Sequence, residues 1–178
     1  MTKNDYMIEL IRARRSTRKF KATPVEDNKV EILKETVLRA PSSRNLAPWQ
    51  FIFITRADVL QELSRVKPHG ASFLHEAPLA VVMCADIRVS DVWVEDCAVA
   101  AVLLQMTAQS MGLGSCWVQV RRRSHDADVT SEEFVRKLFS LPDHYAVASI
   151  IAIGYPDEIH NPILREELLD EKIHCIDG

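Results

Sequence analysis

The sequence predicts one three-layer domain of the α+β or α/β class, with a sheet held between helices. Three observations carry this. Two helical patterns open the chain before any strand pattern appears. Four short apolar runs of strand length follow, separated by helical segments. The 178 residues suit a single domain, and 47% hydrophobic with 26% charged side chains is the balance of a globular protein.

The first helix begins with Asp5 as its cap and places Tyr6, Met7, Leu10 and Ile11 on one face, ending near 14–18. After Pro24, a second helix carries Val30, Leu33 and Val37 at helical spacing. It stops before Pro41, because a residue preceding proline disfavours the α region. Residues 50–55 (QFIFIT) form the first strand, and 57–66 a short helix with Leu60 and Leu63. A loop around Pro68 and Gly70 leads to 79–85 (LAVVMCA), the continuous apolar run of a strand buried on both faces.

The longest helix covers 91–111, and its centre, 97–106, is apolar nearly all round. Such a helix is buried on several sides. A domain of this size is not expected to cover it completely, so a subunit interface is expected there. Gly112 ends the helix, and 115–120 (SCWVQV) is the third strand. Residues 130–139 form a helix opened by the capping box Thr130 and Glu133. The fourth strand is 146–153 (AVASIIAI), closed by Gly154-Tyr155-Pro156. The last 22 residues are charged and weakly patterned, and are expected to lie along another surface.

Composition excludes several functions. The chain has 5 glycines, where average usage would give about 12. No P-loop or G-x-G-x-x-G fingerprint can be written from Gly70, Gly112, Gly114 and Gly154, so a bound phosphate would need side-chain cations. A net charge of −3 argues against a general nucleic-acid binder. The N-terminal stretch has no apolar core of signal-peptide length. Cys84, Cys97, Cys116 and Cys175 form no C-x-x-C pair and read as reduced thiols of a cytoplasmic protein. Residues 97–120 carry no formal charge, but Gln105, Thr107, Gln109 and Ser110 interrupt them, which fits a buried helix and strand better than a membrane span. The six histidines have no metal-ligand spacing, and no G-x-S-x-G elbow occurs.

Three segments can carry chemistry. Arg14-Arg15-Ser16-Thr17-Arg18-Lys19 offers guanidinium forks and a hydroxyl to a phosphate, or is a solvated basic helix end. Residues 40–49 (APSSRNLAPW) form a loop of small hydrogen-bonding side chains pinned by two prolines, able to meet a planar heterocycle, or a plain helix C-terminal turn. Residues 112–117 (GLGSCW) turn tightly from helix to strand, the reverse of the Rossmann order. The glycine pair lets the backbone approach something closely, or simply stops the helix. Cys116 would be a nucleophile only beside a base in an electropositive pocket. Arg121 to Arg123 read as a solvated loop, or as a grip on the extra phosphate of a dinucleotide donor.

These segments, in this order and at these separations, resemble the nitroreductase family of FMN-dependent flavoproteins. The matching pieces are 11–20 (IRARRSTRKF), 39–52 (RAPSSRNLAPWQFI), 77–86 (APLAVVMCAD), 111–119 (MGLGSCWVQ), 138–145 (LFSLPDHY) and 151–156 (IAIGYP), which span nearly the whole chain. The resemblance implies an α+β three-layer sandwich, its central mixed sheet flanked by helices, in an intertwined homodimer with an FMN at each interface. It implies one domain over 1–178, with the tail 157–178 packing on the partner. The R-x-S-x-R motif falls on Arg14, Ser16 and Arg18, with Arg15 between them. Arg14 and Ser16 would hold the phosphate and ribityl chain, and Arg18 the pyrimidine edge of the flavin. Pro41, Ser42, Ser43 and Asn45 would come from the other subunit. Cys116, Trp117, Val118 and Gln119 would run along the ring, and Arg165 would be the late basic residue on the phosphate. Phe73 and Trp93 are candidates for an aromatic over the ring.

The implied activity passes electrons from NAD(P)H to a flat small-molecule acceptor, such as a nitroaromatic or quinone, by a ping-pong hydride mechanism with no dedicated acid–base side chain. The same fold also fits flavin fragmentation, reductive dehalogenation or non-enzymatic FMN binding. No metal, nucleic acid or membrane partner is implied. The chain departs from the common motif N-x-Q-P-W at Ala47, carries Arg44 where a glycine is sometimes found and Val120 where a small residue is common, and has little room for an inserted substrate-covering helix.

Overall fold

A computed structural model describes residues 5–176. Nine regular elements follow the predicted order: α1 (Tyr6–Ala13), α2 (Asp27–Leu38), β1 (Trp49–Ile54), α3 (Ala57–Leu63), β2 (Leu79–Asp86), α4 (Trp93–Ser110), β3 (Gly114–Gln119), α5 (Ser131–Leu138) and β4 (Tyr145–Gly154). Short 3₁₀ turns cover Ser43–Asn45, Ser72–Glu76, Arg165–Glu167 and Asp170–Lys172.

The four strands form one sheet in the order β1-β2-β4-β3. The expected mixed sheet is corrected here: all three strand pairings are antiparallel. The crossover through α4 returns β3 in the direction of β2, but β4 inserts between them and opposes both. The one parallel pairing in the vicinity is an isolated bridge, Ser16 to Ser115.

Alternation along β2 explains why its apolar run is unbroken. Leu79, Val81, Met83 and Ala85 face a core shared with Leu33 and Val37 of α2 and Ala100 and Leu104 of α4. Ala80, Val82 and Cys84 face the opposite core, with Leu60 and Leu63 of α3 and Val135 of α5. These are the three layers. A bulge shifts the register from Met83↔Ser149 to Cys84↔Val147, leaving Ala148 as the extra residue.

Two helices leave apolar surface uncovered. Tyr6, Met7 and Ile11 of α1 are 51%, 58% and 53% exposed. Asp5 stands at the N-cap position of α1 but makes no side-chain cap hydrogen bond, because its backbone is already helical (φ −95°, ψ −7°). Cys97, Ala100, Ala101, Leu104 and Ala108 of α4 are buried, whereas Val99, Val102 and Leu103 are exposed. This is the incompletely covered helix that the sequence predicts. Among the described residues, no helix is long and apolar enough to cross a membrane. In the tail, residues 159–176 are exposed throughout, including Ile159, Leu169, Ile173 and Ile176. Asp177 and Gly178 of the expected tail lie outside the described residues.

The capping box of α5 forms as predicted. Glu133 N donates to Thr130 Oγ1 at 3.1 Å, and Thr130 N donates to Glu133 Oε2 at 2.8 Å. Thr130→Ala leaves the Glu133 amide without its cap and is expected to cost about 1 kcal/mol. In a protein of this size that lowers the melting temperature by about 2–4 °C, readable by calorimetry; an unchanged midpoint would show that water replaces the cap at no cost.

Candidate functional site

The helix α1 ends at Ala13, one residue before the basic cluster, and Arg14 is already extended (φ −65°, ψ 125°). An extended chain sends alternate side chains to opposite sides. Arg14, Ser16 and Arg18 therefore share one side, and Arg15 and Thr17 the other. The segment lies against β3: Ser16 pairs in parallel with Ser115, and Thr17 N donates to Ser115 O at 3.0 Å. Gly114 makes that approach possible. A Cβ there would sit 2.4–2.9 Å from the side-chain atoms of Thr17. The close approach expected of the glycine pair is thus to Thr17. Gly112 adopts φ +76° and stops α4.

On the open side, Arg14 and Ser16 line a cavity of about 650 Å³ with Met7, Ile11, Gln105 and Trp117. Arg18 lines a second groove with Gly70, Phe73, His75 and Glu158. Between them lies Cys116, which reports the local field. Its burial pushes the thiol pKa up, while Arg18, the Ser16 hydroxyl, Lys67 and Arg14 oppose that shift. Burial wins, and the thiol pKa lies above its ordinary value, against the thiolate a nucleophile needs. The same field favours any anion placed there.

Two cations of this cluster were not assigned to the site from sequence. Lys67 has its pKa lowered by burial and then by the charge of Arg123. Lys67 sits in an irregular loop after α3, and no spacing singles it out. Arg123 belongs to a run that reads as solvated loop, and only the fold brings it near Lys67. Like charges gathered this way are mutually repulsive and create a potential that an anion relieves.

The remaining candidates are placed as follows. Arg15 points away from Arg14 and Arg18, and its guanidinium donates to Asn161 O at 2.7 Å. Arg165 pairs with Asp170 at 2.9 Å in the exposed tail. The fold thus gathers Arg14, Ser16, Arg18 and Cys116, but not Arg15 or Arg165. On β3, Cys116 and Val118 are buried toward α3 and α5. Trp117 packs against the core on the other face, and its Nε1 donates to Gln119 Oε1 at 2.9 Å. Among the described residues, no strand pairs with the outer edge of β3 beyond Ser115. Phe73 is buried in the core and also borders the Arg18 groove. Trp93 opens α4, with the Arg121 guanidinium 5.6 Å from its ring centre.

The loop before β1 is strained. Arg44, Asn45 and Ala47 adopt φ values of 51°, 54° and 46°, a left-handed region that costs L-residues free energy. Neighbouring contacts hold it there. Ser42 Oγ accepts from Ala47 N at 2.9 Å, and Ser43 N donates to Oδ1 of the buried Asp96 at 2.8 Å. Asp96 also accepts from Ser90 Oγ at 3.0 Å. Two of the motif departures, Arg44 and Ala47, thus occupy left-handed positions. Pro41 is exposed at the start of this loop. The loop feeds β1, at the opposite sheet edge from β3. Three strand spacings, about 14 Å, separate those edges. One chain does not bring Ser42, Ser43 and Asn45 to the Arg14 segment.

Guanidinium forks, a hydroxyl, an ammonium and an unpaired strand edge make a donor set that fits a flat, phosphorylated ligand. Comparison with known proteins identifies the family. The family model for the nitroreductase family matches residues 11–68 and 61–155. A Methanothermobacter thermautotrophicus protein with the provisional name NADH dehydrogenase/NAD(P)H nitroreductase is 32% identical over 171 residues, covering 94% of this chain and 85% of that protein. The NADPH-flavin oxidoreductase of Vibrio harveyi is 27% identical over 176 residues, covering 90% of this chain and 69% of its own length. The solved structure of an FMN-dependent nitroreductase from Clostridium difficile superimposes with a TM-score of 0.93 at 38% identity, over 96% of this chain and 99% of that one. The chain belongs to the nitroreductase family.

Proposed function

We propose that the protein is an FMN-dependent oxidoreductase that takes electrons from NAD(P)H and passes them to a flat acceptor such as a nitroaromatic or quinone. The observation that carries this reading is the cationic face of Arg14, Ser16 and Arg18 laid along the free edge of β3, with Lys67 beside it. The names of the similar proteins, an FMN-dependent nitroreductase and an NADPH-flavin oxidoreductase, support both cofactors.

When bound, FMN supplies the hydride and electron-transfer chemistry. The chain's residues bind, orient and bias it. Arg14 and Ser16 hold the phosphate through side chains, which meets the need left by the missing glycine cradle. Arg18 and Lys67 place positive charge at the pyrimidine edge, where reduction builds negative charge, and so favour the reduced state. The backbone of Cys116 to Gln119 offers its unpaired edge to the ring. Arg15 serves indirectly, by tying the segment to the tail at Asn161. Phe73 borders the Arg18 groove and is the better placed of the two aromatic candidates for the acceptor; Trp93 is held under Arg121.

The site is completed by a second copy. The uncovered apolar faces of α1 and α4 adjoin the Arg14 cavity, where Met7, Ile11, Val102 and Leu103 line one wall. Packing these faces against a partner buries them and brings the partner's loop, with Pro41, Ser42, Ser43 and Asn45, to this site. The tail beyond Asn161, with Arg165, packs on the partner and can reach its phosphate once released from Asp170, while Asp157 to Asn161 stay on this chain's own basic segment.

The protein loaded with FMN is expected to show flavin absorbance that bleaches under anaerobic NADH or NADPH; no flavin affinity would refute the reading. Arg14→Ala is expected to weaken FMN binding about tenfold, about 1.4 kcal/mol, with the dimer intact, and unchanged affinity in a titration would remove the phosphate assignment. Val102→Glu puts a charge on the exposed face of α4 and is expected to convert a dimer to a monomer by light scattering. A wild-type monomer at micromolar concentration would contradict the interface.

A further inference from the structure

We propose that Glu158 is a positioning residue of the flavin site, whose carboxylate aims Arg18 by holding two consecutive backbone amides. The proposal rests on the flavin reading above and goes beyond it, because Glu158 lies outside the motifs and donates nothing to a cofactor.

After β4, the chain returns alongside the basic segment. Lys21 N donates to Tyr155 O at 2.9 Å, Phe20 and Pro156 form an antiparallel bridge, and Asp157 N donates to Lys19 O at 2.9 Å. The next step of this ladder is not made by backbone. Arg18 N and Lys19 N both donate to Glu158 Oε1, at 2.5 and 3.1 Å. Consecutive amides of an extended strand point to opposite sides. Their convergence on one oxygen means that the chain bends at Arg18 and Lys19. That bend ends the extended run begun at Arg14 and sets the direction from which the Arg18 side chain leaves.

The Glu158 carboxylate is engaged by a third partner as well. His160 Nε2 stands 3.0 Å from the same oxygen. Two amides and an imidazole thus converge on one carboxylate oxygen, which holds the Glu158 side chain in place. The side chain is only 21% exposed, so these bonds are partly shielded from water. Glu158 also lines the groove that holds Arg18 and Phe73. On the far side, β3 fixes the segment through Ser115. Glu158 is therefore the second of two clamps, and it is the one adjacent to Arg18.

The test compares Glu158→Ala, Glu158→Gln and Arg18→Ala, alone and combined, in the full chain. Without cofactor, hydrogen exchange at the Arg18 and Lys19 amides is expected to speed up at least tenfold in E158A. With FMN, E158A is expected to bind about tenfold more weakly and to make the midpoint potential of the bound flavin more negative. E158Q keeps an acceptor oxygen at the same reach and is expected to restore most of both. In an R18A background, E158A should shift the potential no further. A folded E158A with wild-type affinity and potential overturns the proposal, as does an equal shift with and without Arg18. Should E158A fail to fold, Glu158→Asp, which withdraws the oxygen by one methylene, must move the potential in the same direction, and an unchanged potential is equally fatal. If the wild type binds FMN and R14A weakens it while E158A does nothing, this inference alone fails. If the wild type binds no FMN, the flavin reading fails first.

Discussion

The contact on which the rest depends is the absence of one carbon. At Gly114, a Cβ would collide with Thr17. Because it is missing, the extended segment after α1 lies flat against β3 and Thr17 N reaches Ser115 O. Alternation then does the sorting. With Thr17 turned inward and buried, Arg14 and Ser16 face outward together, and Arg18 follows at the bend where Glu158 holds the chain. A helix continuing through these residues would have kept Arg14 and Arg18 together but turned Ser16 to the other side. The cationic face is thus a consequence of backbone geometry, and the strand it lies on supplies the unpaired edge beside it.

The same geometry underlies the proposed dimer. The two functional loops sit at opposite edges of a four-stranded sheet, on β1 and β3. The apolar residues that a lone domain should hide are left on α1 and α4, next to the Arg14 cavity. Exposed apolar area of this kind costs solubility unless it is covered. A partner that covers it also delivers the distant loop. In the proposed dimer, stability and completion of the site are one requirement. Asp96 and Ser42 hold the left-handed residues Arg44, Asn45 and Ala47 in a fixed loop shape, as a loop offered to a partner in the proposed dimer would need.

Much of the fold was legible because it is written locally. The apolar run 79–85 is a strand buried on both faces, Thr130 and Glu133 do form a capping box, and Gly112 does stop α4. What was not legible depends on contacts between distant residues. Strand direction follows from where β4 inserts, which no local pattern encodes, so the mixed sheet became antiparallel. The difference between Arg14 and Arg15 depends on the helix ending at Ala13 and the chain extending beyond it. Lys67 and Glu158 sit in segments without periodicity, and only the folded chain sets them beside the basic segment. Asp5 shows the reverse case, a good capping residue whose backbone is helical and whose side chain makes no cap.

The scarcity of glycine has its physical sense in the same site. In the proposed site, a chain without a backbone cradle grips phosphate with side chains, and Gly114 lets the segment that carries them lie against the sheet edge. The crystal structure of the protein grown with FMN tests this most directly. A phosphate is expected within hydrogen-bonding distance, about 3 Å, of both the Arg14 guanidinium and the Ser16 hydroxyl, with the ring along β3. A phosphate bound elsewhere, with Arg14 and Ser16 left to solvent, would contradict it.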